Sequence, residues 1–327
     1  MDTIDRQLLN LLQTEFPLVP EPFNELGKRL KIGEGEVILR VQSLKDQGII
    51  RQISAIFDSH ALGYSSSLAA FSVPRERVEQ VAEIVNAHPG VSHNYERDHA
   101  YNLWFTITVP PGTAPDAEVD RLAAQANPLA VRMFPTIRLF KIGVAFDMAG
   151  GKDGIDAAIT QSTAVRQEPV ELDEPDIAAV RALQRDLPVE SRPFALLAAR
   201  AGMKEDELIA KARMFLQLGA MRRYAAVLKH REAGYSSNAM AVWNVPKNMI
   251  EHIGPKLALH KAVSHCYERP TYPDWPYSVF TMIHGKSIED CENAARELSN
   301  TTGITDYVLL YSGREFKKTR VLYYEQA

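Results

Sequence analysis

Cysteine is scarce in this 327-residue sequence: Cys266 and Cys291 are too few for a disulfide framework or a cysteine-rich metal site. The sequence also lacks any run of about 18 apolar residues that could cross a membrane. Its acidic start, residues 1–5, lacks the apolar core of a signal peptide. We therefore expect a protein of the reducing cytoplasm that does not associate with a membrane.

Familiar catalytic motifs are missing as well. The sequence has no zinc-ligand spacing, phosphate-binding glycine loop, dinucleotide fingerprint or nucleophile elbow. Lys and Arg number 37 against 41 Asp and Glu, a net charge of -4 that disfavours an extended nucleic-acid-binding surface. With 46% hydrophobic and 24% charged residues, the composition excludes disordered, collagen-like and coiled-coil classes. The length predicts two or more domains.

An internal repeat divides the chain into two copies. The segment Val91-Ser92-His93-Asn94-Tyr95-Glu96-Arg97 recurs as Val263-Ser264-His265-Cys266-Tyr267-Glu268-Arg269, and Gly63-Tyr64-Ser65-Ser66 recurs as Gly234-Tyr235-Ser236-Ser237. Other pairs keep nearly the same spacing, among them Gly48 with Gly219 and Arg51 with Arg222. Because two copies are too few for a solenoid, the repeat predicts an intramolecular pseudo-dimer.

Each copy combines two patterns. Apolar residues first recur at helical spacing, as in Ile4, Leu8, Leu9 and Leu12, and three short helices precede a strand at 51–57, which is typical of a winged helix-turn-helix. The rest of the copy alternates as strand 67–73, helix 75–87, strands 91–101 and 103–109, helix 116–125 and strand 131–142. This βαββαβ order is that of a ferredoxin-like domain. The predicted fold class is α+β, a tandem duplication of these two domains.

The domain boundaries follow from this division. We expect winged helix-turn-helix domains at 1–62 and 173–233, and ferredoxin-like ligand-binding or catalytic domains at 63–148 and 234–327. Between the copies, residues 149–172 are rich in glycine and polar residues at their start, which is typical of a linker.

The repeated segment carries the most informative side chains. Because side chains alternate between the faces of a strand, a strand over 91–101 places five of them on one face, namely His93, Tyr95, Arg97, His99 and Tyr101. Imidazoles, phenol rings and a guanidinium without any Lys or Glu are typical of a binding pocket. The alternative is the solvated face of an antiparallel sheet.

The second copy repeats this face with His265, Tyr267 and Arg269, after which prolines interrupt regular pairing. Glu96 and Asp98 point away from the histidines, so paired carboxylates for hydrolysis are missing from the face. The chemistry open to such residues is proton transfer and carboxylate binding, together with iron ligation by imidazole.

The helix-turn-helix domains suggest a rival function, DNA binding. A recognition helix needs Arg, Lys, Asn or Gln at its start. Here the corresponding segments begin with Glu34 and Glu36 in the first copy and with Glu205, Asp206 and Glu207 in the second. Since these carboxylates would repel phosphate, we expect the helices to have kept the fold and lost DNA binding.

The arrangement resembles the Lrp/AsnC regulators, which join a winged helix-turn-helix to a ferredoxin-like ligand domain, and residues 24–30 and 44–51 are similar to the first domain of that family. Within it, the strings at 93–106 and 264–270, with Trp275-Pro276-Tyr277 and His284-Gly285, resemble the two subunits of siroheme decarboxylases, here joined in one chain.

This resemblance implies a non-oxidative carboxy-lyase that removes CO2 from the C12 and C18 acetates of siroheme. The product, 12,18-didecarboxysiroheme, feeds d1-type haem or alternative haem biosynthesis. No cofactor or structural metal is implied, because the iron tetrapyrrole is the substrate. His93 and His265 are the expected catalytic residues, as proton donors or iron ligands. The expected substrate-binding residues are Tyr95, Arg97, His99, Tyr101, Trp104, Tyr267, Arg269, Trp275, Arg51, Arg222 and Arg223.

Among these, the arginines are expected to clamp carboxylates, and Trp104, Tyr101 and Trp275 to pack on the macrocycle. The alternative function is a haem- or siroheme-responsive transcription regulator on the same scaffold. Three points stay open at this stage: whether both copies hold working sites, which histidine ligates the iron, and whether fused chains pair further.

Overall fold

The first helical domain consists of three helices and a strand. A computed structural model describes residues 1–142, 168–228 and 237–325. The chain begins with α1 (Thr3–Thr14), which the Asp2 and Asp5 side chains cap reciprocally, and continues with α2 (Pro22–Leu30), α3 (Glu34–Asp46) and β1 (Ile50–Phe57). Gly48 ends the third helix with a φ of 74°, a left-handed conformation that favours glycine.

The first ferredoxin-like domain follows. Its elements are β2 (Ser65–Ser72), α4 (Val78–Ala87), β3 (Val91–Arg97), β4 (Leu103–Val109), α5 (Pro115–Ala126), β5 (Ala130–Pro135) and β6 (Arg138–Ile142). The strand order β5-β2-β4-β3 is antiparallel throughout. The predicted ferredoxin-like arrangement is thus confirmed, with both helices packed on one face of the sheet over an apolar core.

The second copy repeats both domains. Its helical part contains α6 (Glu174–Leu183), α7 (Pro193–Arg200), α8 (Glu205–Gln217) and β7 (Met221–Leu228). Its ferredoxin-like part contains β8 (Ser237–Trp243), α9 (Ile250–Leu259), β9 (Val263–Glu268), β10 (Val279–Gly285), α10 (Ile288–Thr302) and β11 (Tyr307–Lys318), in the equivalent order β11-β8-β10-β9.

The two copies are joined by their strands, as expected of a pseudo-dimer. β1 pairs with β7 in an antiparallel ribbon, and the two helical domains share one apolar core beneath it. β11 pairs with β8 of its own copy and then continues to pair with β3 of the first copy, while β6 pairs with β9 of the second. The result is a nine-stranded sheet whose end strands, β5 and β6, are separated in the chain by only Thr136 and Ile137.

Because the end strands are consecutive in the chain, the sheet curls round on itself. Its inner faces enclose a fourth apolar core contributed by both copies, which includes Trp104, Phe134, Trp275, Phe280 and Leu310. The two repeated His-Tyr-Arg strands, β3 and β9, border this interior on opposite sides.

Three predicted boundaries were wrong. The strand expected over 91–101 ends at Arg97, and a turn follows. The strand expected over 131–142 is two strands, because the chain there leaves its own sheet for that of the other copy. For the same reason β11, for which the repeated pattern predicts a strand over 304–311, extends to Lys318. Of the predicted linker, residues 149–167 lie outside the described residues. Within the described ranges, none of the helices is both long and apolar enough to span a bilayer.

Candidate functional site

The His-Tyr-Arg residues of β3 face the interior that the curled nine-stranded sheet encloses. Tyr95 lies opposite Trp104 in the strand register, and Trp104 belongs to the shared inner core. Asn94, which lies between His93 and Tyr95 in the strand, points to the other face of the sheet, where its amide donates a hydrogen bond to Asn86 of α4. The alternative of a solvated sheet face is wrong, because Arg97 is only 4% exposed. In the second copy Tyr267 occupies the same position, opposite the inner-core residue Phe280.

A β-bulge precedes the trio in each copy. The register slips by one residue between Val91 and His93 on β3, and again between Val263 and His265 on β9. A bulge turns two successive side chains toward the same side, and bulges are over-represented beside active sites. Ser92 Oγ consequently lies 2.9 Å from Nδ1 of His93, and Ser264 Oγ lies 2.8 Å from Nδ1 of His265. Each histidine is therefore oriented by the serine before it.

Arg97 and Arg269 are buried cations of matching geometry. Arg97 donates from Nη1 to the Leu310 carbonyl of β11 at 2.7 Å, and Arg269 donates from Nη1 to the Phe134 carbonyl of β5, so each acceptor belongs to the other copy. The guanidinium carbons lie 5.8 Å and 4.7 Å from the ring centres of Tyr95 and Tyr267. Burial lowers the pKa of each guanidinium to about 10.

Neither of these arginines has a carboxylate partner among the described residues, and Nε of each is buried without a hydrogen-bond partner there. An unpaired buried charge is costly, and buried donors are normally satisfied. The two guanidinium groups are thus prepared for an anion that the chain itself does not supply.

His93 lies among cations at the edge of its site. Burial and the nearby charges of Lys318 and Arg51 lower its pKa to about 4, so the imidazole is neutral at pH 7. The neutral ring is the form that ligates metal ions. The Glu315 carboxylate, opposite Tyr95 on β11, raises the pKa of that phenol together with burial.

The second site differs in its lining. Leu139 of β6 takes the register position opposite Tyr267 that Glu315 takes opposite Tyr95. Burial raises the pKa of the Tyr267 phenol, against the opposing influence of the Arg269 and Arg222 charges. The two sites therefore share their His-Tyr-Arg trio and differ in the charge around it.

The arginines of the ribbon strands lie at the two ends of the β1–β7 pair. Arg51 donates to the Lys318 carbonyl at 3.1 Å, near His93. Arg222 pairs with Asp58 at 2.7 Å and faces the Tyr267 side of the molecule. Arg223 is half-buried, and both burial and Arg222 lower its pKa. Arg51 and Arg222 thus lie near His93 and Tyr267 respectively, and the substrate-binding role expected of the three arginines stays a prediction.

Arg320 is a neighbouring cation that sequence reasoning missed. It follows β11, and its Nη1 donates to Ser54 Oγ of the ribbon at 2.8 Å. Burial, with repulsion from Arg51 and Arg223, lowers its pKa to about 10. A single arginine in a C-terminal tail gives no sequence signal, because its partner Ser54 is 266 residues away in the chain.

The aromatic residues expected to pack on a macrocycle instead fill the inner core. Trp104, Tyr101 and Trp275 are 1%, 4% and 0% exposed, and they contact one another and Phe134. His99 lies in the turn after β3, with its ring 5.1 Å from that of Trp275. Trp104, Tyr101 and Trp275 are thus enclosed by other side chains, whereas His99 is half-buried, and the substrate-binding role expected of the four residues stays a prediction.

The recognition-helix equivalent of the first copy, α3, uses its charged residues for contacts within the protein. Glu34, in the first turn of α3, accepts a hydrogen bond from Ser191 of the other copy at 2.8 Å. Arg40, the basic residue in the middle of that helix, is paired with Asp2, Asp5 and Glu36. Its charge is therefore already neutralised within the domain.

No group of three or more His, Cys, Asp or Glu residues able to hold a metal ion occurs within 1–142, 168–228 and 237–325. The two cysteines are buried free thiols, and burial raises the pKa of each. The His-Tyr-Arg trios themselves contribute imidazole, phenol and guanidinium groups.

Comparison with known proteins identifies the architecture. A family model described as "AsnC-like ligand binding domain" matches residues 61–141 and 232–317, and one described as "Siroheme decarboxylase NirDL-like HTH domain" matches 5–51 and 176–222. A siroheme decarboxylase of Hydrogenobacter thermophilus is 41% identical over 323 residues, which cover 98% of this chain and 95% of that protein. This chain belongs to the siroheme decarboxylase family.

Two further members of the family are informative. The siroheme decarboxylase beta subunit of Methanosarcina barkeri is 45% identical over 150 residues, covering 46% of this chain and 99% of the subunit. A crystal structure is known of the siroheme decarboxylase NirDL in co-complex with an iron-uroporphyrin III analogue, and the sequence of that protein is 36% identical to this chain. The two structures superpose with a TM-score of 0.77, over 99% of this chain and 95% of the other. The fused chain thus corresponds to two decarboxylase subunits in one polypeptide.

Proposed function

We propose that the protein removes CO2 from the C12 and C18 acetate side chains of siroheme to give 12,18-didecarboxysiroheme. The reaction is a non-oxidative lyase reaction that needs no cofactor beyond the iron tetrapyrrole substrate. Full-length similarity to siroheme decarboxylases supports this assignment, as does the iron-uroporphyrin analogue in the crystal structure of a related enzyme. The product would enter d1-type haem or alternative haem biosynthesis in the cytoplasm.

The observation that carries the proposal is the pair of buried, unpaired arginines. Arg97 and Arg269 each lie over a tyrosine ring and retain a buried Nε–H without a partner among the described residues. Siroheme carries carboxylates around its whole periphery, and arginine binds carboxylates with two parallel hydrogen bonds. A tetrapyrrole carboxylate would satisfy both the charge and the free donor of each guanidinium.

A second set of cations lies outside the trio, between the ribbon and the C-terminal segment. Arg51 and Arg223 both lower the pKa of Arg320, Arg51 also lowers that of His93, and none of the three arginines has a carboxylate partner within the described parts of the chain. Like charges held together without counter-ions repel one another. Propionate carboxylates would relieve this repulsion, so we assign these arginines to the outer rim of the substrate.

The two histidines then take different roles. His93 is neutral at pH 7 and therefore suited to ligate the iron of the substrate. His265 is the proton donor. A scissile acetate in the enclosed interior is less well solvated than in water, which favours loss of its charge as CO2.

The proposed reaction balances as follows. Transient protonation of the adjacent pyrrole carbon makes the ring an electron sink, the bond from the methylene carbon to the carboxylate breaks, and its electron pair moves into the ring as CO2 leaves. A proton from His265 completes the new methyl group, and the ring carbon releases its own. Each cycle consumes one proton.

Turnover by variants tests these roles. His265→Ala should keep the fold and substrate binding, and lose turnover by a factor of about 100 or more. His93→Ala should alter the visible spectrum of the bound tetrapyrrole. Normal turnover in both variants would contradict the assignment, whereas loss of binding alone in His265→Ala would make that residue an iron ligand.

A further inference from the structure

A chain of three polar side chains leads from His265 toward the surface. Ser264 Oγ lies 2.8 Å from Nδ1 of His265 and 2.7 Å from Nε2 of His284, the penultimate residue of β10. His284 is half-buried, and Lys286 two residues later is exposed. The hydroxyl can accept a proton from one imidazole while it donates its own to the other.

The first copy has no such chain within residues 1–142. In the first copy Thr106 lies opposite His93, and in the second Met282 lies opposite His265. His284, two residues after Met282, therefore corresponds to Thr108, two residues after Thr106. Thr108 Oγ1 lies 2.7 Å from Ser66 Oγ, and the Ser92 hydroxyl is hydrogen-bonded to the His93 ring. The bulge serine is common to both copies, but among the described residues only the serine of the second copy also contacts a second imidazole.

We propose that His284 resupplies protons to His265 through Ser264, which makes the second copy the proton-delivering half of the enzyme. This inference rests on the proposed function. When His265 gives its Nε2 proton to the methylene carbon, Ser264 donates its hydroxyl proton to Nδ1 of His265 and takes the Nε2 proton of His284. His284 then recovers a proton from water. No oxidant, metal or co-reactant takes part, and one proton enters for each CO2 that leaves.

Two variants break the chain at different links. Ser264→Ala removes the hydroxyl, and His284→Gln retains a donor near Ser264 but cannot carry a proton. With anaerobic siroheme as substrate, each should lower kcat about tenfold to a hundredfold, while the dissociation constant from spectral titration stays within twofold. Raising the concentration of a non-ligating buffer acid such as phosphate should restore part of the lost rate. His252→Gln, an exposed histidine of the same copy, serves as the control.

The double variant decides whether the two residues act as one unit. Groups in one relay give non-additive effects, so Ser264→Ala with His284→Gln should be no slower than Ser264→Ala alone. Multiplied losses, unchanged kcat in either single variant, or a loss confined to substrate binding would overturn the relay. If the wild-type protein leaves siroheme unchanged, the proposed function is wrong. That result is distinguishable from failure of the relay, because the relay is tested by the variants of an active wild-type protein. Thermal unfolding of each variant confirms that the fold is kept.

Discussion

Replacing Arg97 by methionine separates a binding role from a structural one. The guanidinium is 4% exposed, donates one hydrogen bond to the Leu310 carbonyl at 2.7 Å and has no counter-ion in the described chain. Methionine has a similar length and no charge. We expect the variant to fold at least as well as the wild type and to bind the tetrapyrrole much more weakly.

The magnitudes follow from the burial of the charge. Lowering the pKa of Arg97 from 12.5 to about 10 corresponds to about 3 kcal/mol of unfavourable free energy for the charged form in the folded state. Because the folded-state pKa is the lower one, this penalty is fully present below pH 10 and is relieved as the pH rises toward 12.5. The lost hydrogen bond offsets about 1–2 kcal/mol of the gain. The ligand-free variant should therefore be as stable as the wild type or more stable by about 1–2 kcal/mol.

Binding should change in the opposite direction. Removing one partner of a buried charge pair costs about 2–5 kcal/mol, so the dissociation constant for siroheme should rise about thirtyfold or more. Urea unfolding and spectral titration measure the two effects. Arg314→Met is the matched control, since Arg314 is an exposed arginine of β11 already paired with Glu96 at 2.6 Å, and it should leave binding unchanged. A strongly destabilised Arg97 variant with normal affinity would refute the reasoning.

Three further outcomes are expected. Because the folded-state pKa of His93 is about 4, the unfolded chain binds more protons than the folded chain below pH 6.5. Between pH 7 and pH 5 the free energy of unfolding, measured in urea, should therefore fall by about 2 kcal/mol more in the wild type than in His93→Gln. An equal fall in both proteins would place His93 in a solvated setting. Gly254→Ala should destabilise the protein by about 1–3 kcal/mol in the same assay, since a Cβ at this position would lie 2.3 Å from the Phe140 ring of β6. Gly35→Ala is the control, because a Cβ there would meet no atom within 4 Å, and it should be neutral or stabilising. Arg320→Gln should raise the siroheme dissociation constant about tenfold without changing kcat, and an effect confined to kcat would remove Arg320 from the binding rim.

Local structure was predictable where a periodic pattern met a clear end signal. The stripe of Leu8, Leu9 and Leu12 predicts α1, and all three residues are fully buried. The predicted bounds of β4, 103–109, agree with the structure because its apolar run lies between polar turns. The duplication predicted the pseudo-dimer, since the two copies have the same order of strands and pair with each other, as β1 does with β7.

The exchange of strands between copies was not predictable from the pattern. Residues 130–142 are one apolar-alternating run in sequence, yet the chain changes sheets at Thr136 and Ile137. That change depends on which edge strand of the other copy is available, a property of the whole fold. The extension of β11 along β3 has the same origin.

The candidate site, like the fold, was predictable only in part. Residue type and alternation were enough to bring His93, Tyr95 and Arg97 together, because they depend only on one strand. The bulges at Ser92 and Ser264 depend on the register with the neighbouring strand, which the sequence of one strand does not encode. The burial of Trp104 and Trp275 in the inner core was not predictable, because an aromatic residue suits a ligand face and a core equally well and only the closure of the sheet decides between them.

The central claim is tested most directly by the mass of siroheme after anaerobic incubation with the purified full-length protein. We expect a product lighter by two molecules of CO2, with its iron and remaining carboxylates retained. An unchanged tetrapyrrole mass, with siroheme bound at the site, would contradict the account.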